Sequence, residues 1–182
     1  MDEAWDRIEA WLAANAPRVL ESLQPGATDA QIAEAEAALS VRLPDEFEAS
    51  CRRYDGQGDE RAGFVLGWEL LSLARIGEVW AFWKDLLDGG EFADSVAEGG
   101  PGVRADWWNA RWVPLTCSGS SNYNCLDLDP APGGRARQVI SVWHDDGDRD
   151  ALAPSFRVWL EDFAGALESG GYVVEDGCLR LA

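Results

Sequence analysis

The chain has 182 residues, of which 33 are acidic and 15 are basic, and its formal net charge at pH 7 is −18. This acidity argues against a protein that grips nucleic-acid backbone or an anionic membrane, because both functions need clustered lysine and arginine. The hydrophobic fraction of 47% excludes a disordered acidic tail, and the length predicts one domain spanning residues 1–182.

The first half of the chain has the periodicity of helices. Apolar residues at helical spacing predict a helix through Trp5 and Leu12, and Pro17 begins a second, shorter one. Thr28 and Gln31 form a capping box, in which each side chain bonds the backbone amide of the other. They predict the start of a third helix.

Two further helices precede the middle of the chain. Pro44 introduces a short one that ends near Tyr54. Ser72 can cap a longer one, which Gly89 and Gly90 terminate.

The second half changes from helical to strand-like patterns. Short apolar runs lie between turn residues at 111–116, 124–128 and 138–144. Ser155 caps a last helix, and residues 172–181 predict a hairpin in which Asp176 and Gly177 suit a type I′ turn. Helices followed by strands, then a helix and a hairpin, are typical of an α+β domain.

The residues that usually carry catalysis are sparse. His144 is the only histidine, and a lone histidine in a strand is more often structural than catalytic. The acidic run 145–150 resembles a calcium loop, but Ala151 replaces the glycine and Arg157 the glutamate that an EF-hand requires. A looser cation site stays open, although a solvated acidic turn is favoured. We therefore expect no catalytic residue, no metal and no cofactor.

Asp127 and Asp129 point to the same side of a strand and could form a carboxylate pair for metal or acid–base chemistry. The alternative is structural. In that case Asp129 begins a turn with Pro130, while Asp127 accepts hydrogen bonds from nearby backbone amides or an arginine. The structural interpretation is favoured.

The chain has four cysteines, Cys51, Cys117, Cys125 and Cys178. The first residues lack the basic and apolar segments of a secretory signal, and no window is long and apolar enough to span a membrane. We therefore expect a cytoplasmic protein whose cysteines are free thiols rather than disulfides.

Binding is better supported than catalysis. Trp107 and Trp108 stand beside a predicted strand, where either ring could be exposed to a partner or could cover the core beneath the loop 89–106. Both interpretations stay open. The candidate partner-binding residues combine these rings with clustered acids: Asp55, Asp59, Glu60, Trp107, Trp108, Asp145, Asp146, Asp148 and Asp150.

The order of motifs resembles the SUKH superfamily, which includes fungal cell-wall-assembly regulators of the Smi/Knr type and bacterial toxin-immunity proteins. The resemblance runs from about Trp5 to Leu167. It is carried, in chain order, by Pro25-Gly26-Ala27-Thr28, Leu43-Pro44-Asp45-Glu46-Phe47, Tyr54-Asp55-Gly56-Gln57, Leu70-Leu71-Ser72, Trp107 to Pro114, Leu126-Asp127-Leu128-Asp129-Pro130 and Gln138-Val139-Ile140. Two positions depart from the family pattern: Ser40 and Ala136-Arg137 stand where a glycine is frequent.

The resemblance implies a small, mainly antiparallel sheet flanked by helices, without catalytic machinery. The leading hypothesis is a non-enzymatic immunity-type protein that neutralises a basic, nuclease-like toxin through its acidic surface. The alternative is a regulatory or scaffold protein of the Smi/Knr type that binds a signalling or cell-wall-assembly partner. A weaker third hypothesis is a metal-dependent hydrolase that uses Asp127, Asp129 and His144.

Overall fold

A computed structural model describes residues 1–58 and 63–182 of the chain. The α-helices of these residues are α1 (Asp2–Asn15), α2 (Pro17–Ser22), α3 (Asp29–Leu39), α4 (Asp45–Arg53), α5 (Leu73–Gly89) and α6 (Phe156–Glu168). The strands are β1 (Leu23–Pro25), β2 (Tyr54–Gln57), β3 (Glu69–Leu70), β4 (Glu98–Gly99), β5 (Trp112–Cys117), β6 (Tyr123–Asp127), β7 (Gln138–Val142), β8 (Asp148–Arg149), β9 (Ala151–Ala153), β10 (Tyr172–Glu175) and β11 (Cys178–Leu181). The fold is α+β, as the sequence predicts.

The predicted helix starts are confirmed by their capping hydrogen bonds. The Thr28 hydroxyl accepts from the Gln31 amide at 3.3 Å, and the Gln31 side chain accepts from the Thr28 amide at 2.9 Å, so both halves of the capping box are present. At the starts of α5 and α6 the hydroxyls of Ser72 and Ser155 each accept from the backbone amide three residues later, at 3.3 Å. These bonds satisfy amide groups that a helix leaves without a partner in its first turn.

The central sheet has the strand order β3-β5-β6-β7-β9, and every neighbouring pair is antiparallel. The middle strands β6 and β7 are buried along their whole length. Burial on both faces means that helices and loops cover the sheet from both sides. One hydrophobic cluster accordingly runs from Ala4 in α1 through the sheet to Leu179 in β11.

The predicted type I′ hairpin is confirmed. Asp176 and Gly177 both have positive φ, 52° and 80°, and they join β10 to β11 in register. The sequence does not predict the strands of two to four residues outside this hairpin, because they are too short to show a period. The ribbon of β1 and β2 is one example: residues 54–57 were expected to end a helix, and they instead form a strand.

The two departures from the family pattern both lie at left-handed backbone positions. Ser40 ends α3 with φ 53°, and Arg137 precedes β7 with φ 74°. This region favours glycine, because a Cβ atom crowds the following carbonyl there.

Candidate interaction surface

A buried arginine organises the acidic loop that follows β7. Strand β8 pairs in parallel with β4, so that Asp148 lies opposite Glu98 and Arg149 lies opposite Gly99. Side chains alternate along a strand. Arg149 therefore points inward with 1% of its surface exposed, while Asp148 and Asp150 point outward and are exposed.

The Arg149 guanidinium is held by carbonyl oxygens. It donates to the carbonyls of Asp146 at 2.6 Å, Asp148 at 2.8 Å and Trp107 at 2.9 Å. It also lies 5.4 Å from the centre of the Trp107 ring, within the range of a cation–π contact. Burial lowers the pKa of Arg149. Because the guanidinium bonds carbonyls, it leaves the neighbouring carboxylates free to face solvent.

The result is a cluster of exposed carboxylates, which we call the acidic surface. It consists of Glu98, Asp145, Asp146, Asp148 and Asp150. Within the described residues, its one ion-pair contact joins Asp145 to His144 at 3.5 Å. Next to it, Val96 is 78% exposed. An exposed apolar side chain beside a cluster of carboxylates is suited to a partner that is basic and partly apolar.

The two candidate tryptophans have different positions. Trp107 is half-buried, and its ring contacts Arg149, the residue that holds the acidic loop. The prediction that Trp108 could offer an exposed ring is wrong, because Trp108 is 2% exposed and stacks on Trp83 with ring centres 5.2 Å apart. Its ring covers the core, the alternative that the sequence left open.

Of the other predicted partner-binding residues, the structure describes Asp55, which has a structural role at another helix. The Asp55 carboxylate accepts a hydrogen bond from the Leu73 amide at 2.7 Å, so it stabilises the start of α5. Asp59 and Glu60 lie outside the described residues. Sequence reasoning also missed Arg149, because an arginine between two aspartates has the pattern of a solvated turn.

Asp127 has the structural role that the sequence favoured. Its carboxylate accepts from the Trp112 indole at 3.2 Å, the Asp129 amide at 2.9 Å and the Gln138 side chain at 2.9 Å. Burial raises the pKa of Asp127, although these hydrogen bonds act in the opposite direction. The carboxylate is fully buried and ties together the ends of three strands.

The hydrolase hypothesis is not supported by this geometry. The amide and the ring Nδ1 of His144 lie 3.1 and 2.9 Å from the Asn122 side-chain oxygen, at the opposite end of β6 from Asp127. Five residues of strand separate the two ends, about 16 Å. His144 and Asp127 therefore cannot act on one substrate atom. Within residues 1–58 and 63–182, no group of three or more histidine, cysteine or acidic side chains could hold a metal ion.

Two cysteines, Cys51 and Cys125, are buried free thiols, and burial raises the pKa of both. Their thiolate forms are therefore disfavoured, which makes them poor nucleophiles. In the part of the chain that the structure describes, no helix has the length and apolar character needed to cross a membrane.

The fold and the acidic surface define an α+β domain of SUKH type with a charged, solvent-facing edge. Residues 26–162 match the model of the SMI1 / KNR4 family (SUKH-1). The chain belongs to this family, and the predicted SUKH membership is confirmed.

Curated relatives match nearly the whole chain. The cell wall biosynthesis/cell cycle regulator smi1 of Schizosaccharomyces pombe is 29% identical, over 100% of this chain and 39% of that protein. The cell wall assembly regulator SMI1 of Saccharomyces cerevisiae is 24% identical, over 95% and 42%. The human F-box only protein 3 is 34% identical, over 98% and 37%. The chain thus spans about two-fifths of the length of these relatives.

Proposed function

We propose that this chain is a non-catalytic regulatory module of the Smi/Knr type that binds a basic protein partner at the acidic surface. One observation carries the proposal. Arg149 directs its charge to backbone carbonyls, which leaves five neighbouring carboxylates exposed and unpaired with any lysine or arginine of the described residues. The names of the two fungal relatives, a cell-cycle and cell-wall regulator and a cell-wall assembly regulator, favour regulation over catalysis.

Electrostatics supports a basic partner. Four carboxylates of the acidic surface come from residues 145–150, and the fifth, Glu98, lies opposite Asp148. At physiological salt the Debye length is about 8 Å, so the potentials of such neighbouring charges add. Such a concentrated potential accelerates the encounter with a basic surface and orients it. Binding should therefore weaken steeply between about 50 mM and about 500 mM salt, whereas purely apolar docking would change little.

The experiment compares two variants with equal net charge. The first reverses three acids of the acidic surface (Asp145→Lys, Asp146→Lys, Asp148→Lys). The second reverses three exposed acids without an ion pair elsewhere in the described residues (Glu21→Lys, Glu34→Lys, Asp162→Lys). Each is used as bait in quantitative affinity purification beside the unaltered chain.

The proposal expects partners that are lost with the first variant and kept with the second. Equal loss with both would mean that only the total charge matters. Equal retention with both would refute the acidic surface as the binding site. The cytoplasmic location and the extent of the domain, residues 1–182, stay predictions beside this proposal.

An immunity-type role is the second candidate, and the charge of −18 favours it. A nucleic-acid-binding toxin presents a basic active site, to which the acidic surface is complementary. The discriminating test is co-expression with a toxin encoded in the neighbouring open reading frame. Rescue of growth by the unaltered chain and by the Glu21/Glu34/Asp162 variant, but not by the Asp145/Asp146/Asp148 variant, would favour immunity. No rescue by the unaltered chain would leave the regulatory role.

A further inference from the structure

A groove with the opposite charge lies at the end of the sheet where β7 begins, whereas the acidic surface lies beyond the other end of β7. It has a volume of about 510 Å³, and its lining includes Ser40, Val41, Arg42, Arg111, Leu128 and Arg137. We call it the arginine groove. Three arginines line it against one carboxylate, that of Glu36, in a chain whose net charge is −18. The local charge of the groove is therefore positive, opposite to the net charge of the chain.

The end of the sheet brings two of the arginines together. Arg111 directly precedes β5, Leu128 directly follows β6, and Arg137 directly precedes β7. Backbone hydrogen bonds keep these ends in register. The Leu128 amide donates to the Arg111 carbonyl at 3.1 Å, and the Arg137 amide donates to the Asp127 carbonyl at 2.7 Å. Arg111 and Arg137 therefore stand on either side of Leu128, two strand spacings or about 10 Å apart at the backbone.

The guanidinium groups of Arg111 and Arg137 are available to a ligand. Both residues are exposed, and within the described residues neither forms an ion pair with a carboxylate. Arg42 donates to Glu36 at 2.8 Å, but its side chain is 85% exposed, so its other N–H groups remain open. Glu36 also accepts from the Leu43 amide at 2.8 Å, and its charge is thereby compensated.

Two backbone positions of the groove are held in a conformation that favours glycine. Ser40 and Arg137 have φ values of 53° and 74°, and both side chains line the groove. Glycine would be the less strained residue at either site. A strained residue of this kind commonly marks a position where the side chain has a function. At position 137 that side chain is an unpaired arginine.

From these observations the geometry points to a binding site for a protein segment that carries a phosphorylated serine or threonine. A phosphate group bears nearly two negative charges and three acceptor oxygens, so it can accept from two guanidinium groups that line one groove. The apolar floor formed by Val41 and Leu128 can contact the residues beside the phosphate. This proposal goes beyond the acidic surface and concerns a different part of the molecule.

A long polyanion fits the groove less well than a short segment. Arg111 and Arg137, which form no ion pair within the described residues, can neutralise a single phosphate, but a nucleic acid would extend onto a protein surface with a strong excess of acid. A free phosphate compound would use the arginines and leave the apolar floor unused. The groove therefore suits a phosphorylated segment of a partner protein.

The test measures retention of three peptide libraries by the immobilised chain. One has a fixed central phosphoserine between degenerate positions, the second has serine there, and the third has glutamate. Arg111→Glu and Arg137→Gly are compared with Arg18→Glu, a control at an exposed arginine that does not line the groove. Neither groove variant breaks an ion pair of the described residues, and a melting temperature checks that each is folded.

We expect the phosphoserine library to be retained at least tenfold better than either counterpart. We expect Arg111→Glu and Arg137→Gly each to lower that retention tenfold or more, while Arg18→Glu leaves it unchanged. Equal retention of the three libraries, or unaltered retention by the two groove variants, would overturn the proposal. Displacement by free O-phosphoserine at equal concentration would overturn the role of the flanking segment. The Asp145/Asp146/Asp148 variant should still bind the phosphoserine library, so this test can fail independently of the acidic surface.

Discussion

Replacement of Arg149 by methionine tests whether this residue organises the acidic surface. Methionine keeps most of the volume and removes the guanidinium with its three hydrogen bonds to carbonyls. Hydrogen bonds from a charged donor contribute about 1.5 kcal/mol each at the low end, or roughly 4.5 kcal/mol together. The variant no longer buries a cation, and the relief of that desolvation offsets about half of the loss. Among the described residues the Arg149 Nε has no hydrogen-bond partner, which supports the low end of the range.

We therefore expect Arg149→Met to lower the free energy of unfolding by about 2 kcal/mol, measured by urea denaturation. Backbone amides of residues 145–150 should also exchange hydrogen faster, because the carbonyls that fix the loop lose their common donor. The matched control is Arg157→Met. Arg157 is exposed and its Nε lies 3.9 Å from Glu46, so we expect a change below about 0.5 kcal/mol. An Arg149→Met variant as stable as the control, with unchanged exchange in the loop, would show that Arg149 does not organise the acidic surface.

Three further predictions concern stability. Arg137→Gly should raise the free energy of unfolding by about 1 kcal/mol, because glycine relieves the positive φ; a loss of stability in chemical denaturation would contradict this. Burial raises the pKa of Asp127, so the folded state holds its proton more tightly than the unfolded chain does. When the pH is lowered from about 7 to about 4, we therefore expect the unaltered chain to gain unfolding free energy relative to Asp127→Asn. A relative loss over the same range would disprove this. Trp108→Ala should cost about 3–5 kcal/mol and Trp107→Ala less than about 2 kcal/mol, since only Trp108 is fully in the core; equal losses on thermal unfolding would contradict the assignment.

The sequence predicts the elements that show a regular spacing of apolar residues, a helix-capping residue or a characteristic turn pair. The capping box at Thr28 and the type I′ turn at Asp176 follow from local chemistry, and both are present. The pairing of β4 with β8 could not be predicted, because each has two residues and they are about fifty positions apart. Such contacts are set by the packing of the rest of the chain.

In the candidate site, too, some features follow from the local sequence and others depend on long-range packing. The acidic run 145–150 was visible in the sequence as a charged turn. The inward direction of Arg149 depends on the β4–β8 pairing and was not visible. Trp107 and Trp108 are adjacent in sequence, and only the packing of Trp108 against Trp83 separates the core ring from the half-buried one.

The most direct test of the account places a photoreactive benzoylphenylalanine at position 148, on the acidic surface, or at position 34, on the exposed side of α3. After irradiation of cells that express each version, the cross-linked peptides are identified by mass spectrometry. We predict adducts from position 148 alone, on partner segments rich in lysine and arginine. Equal adducts from both positions, or adducts on acidic segments at position 148, would show that the acidic surface does not recognise a basic protein.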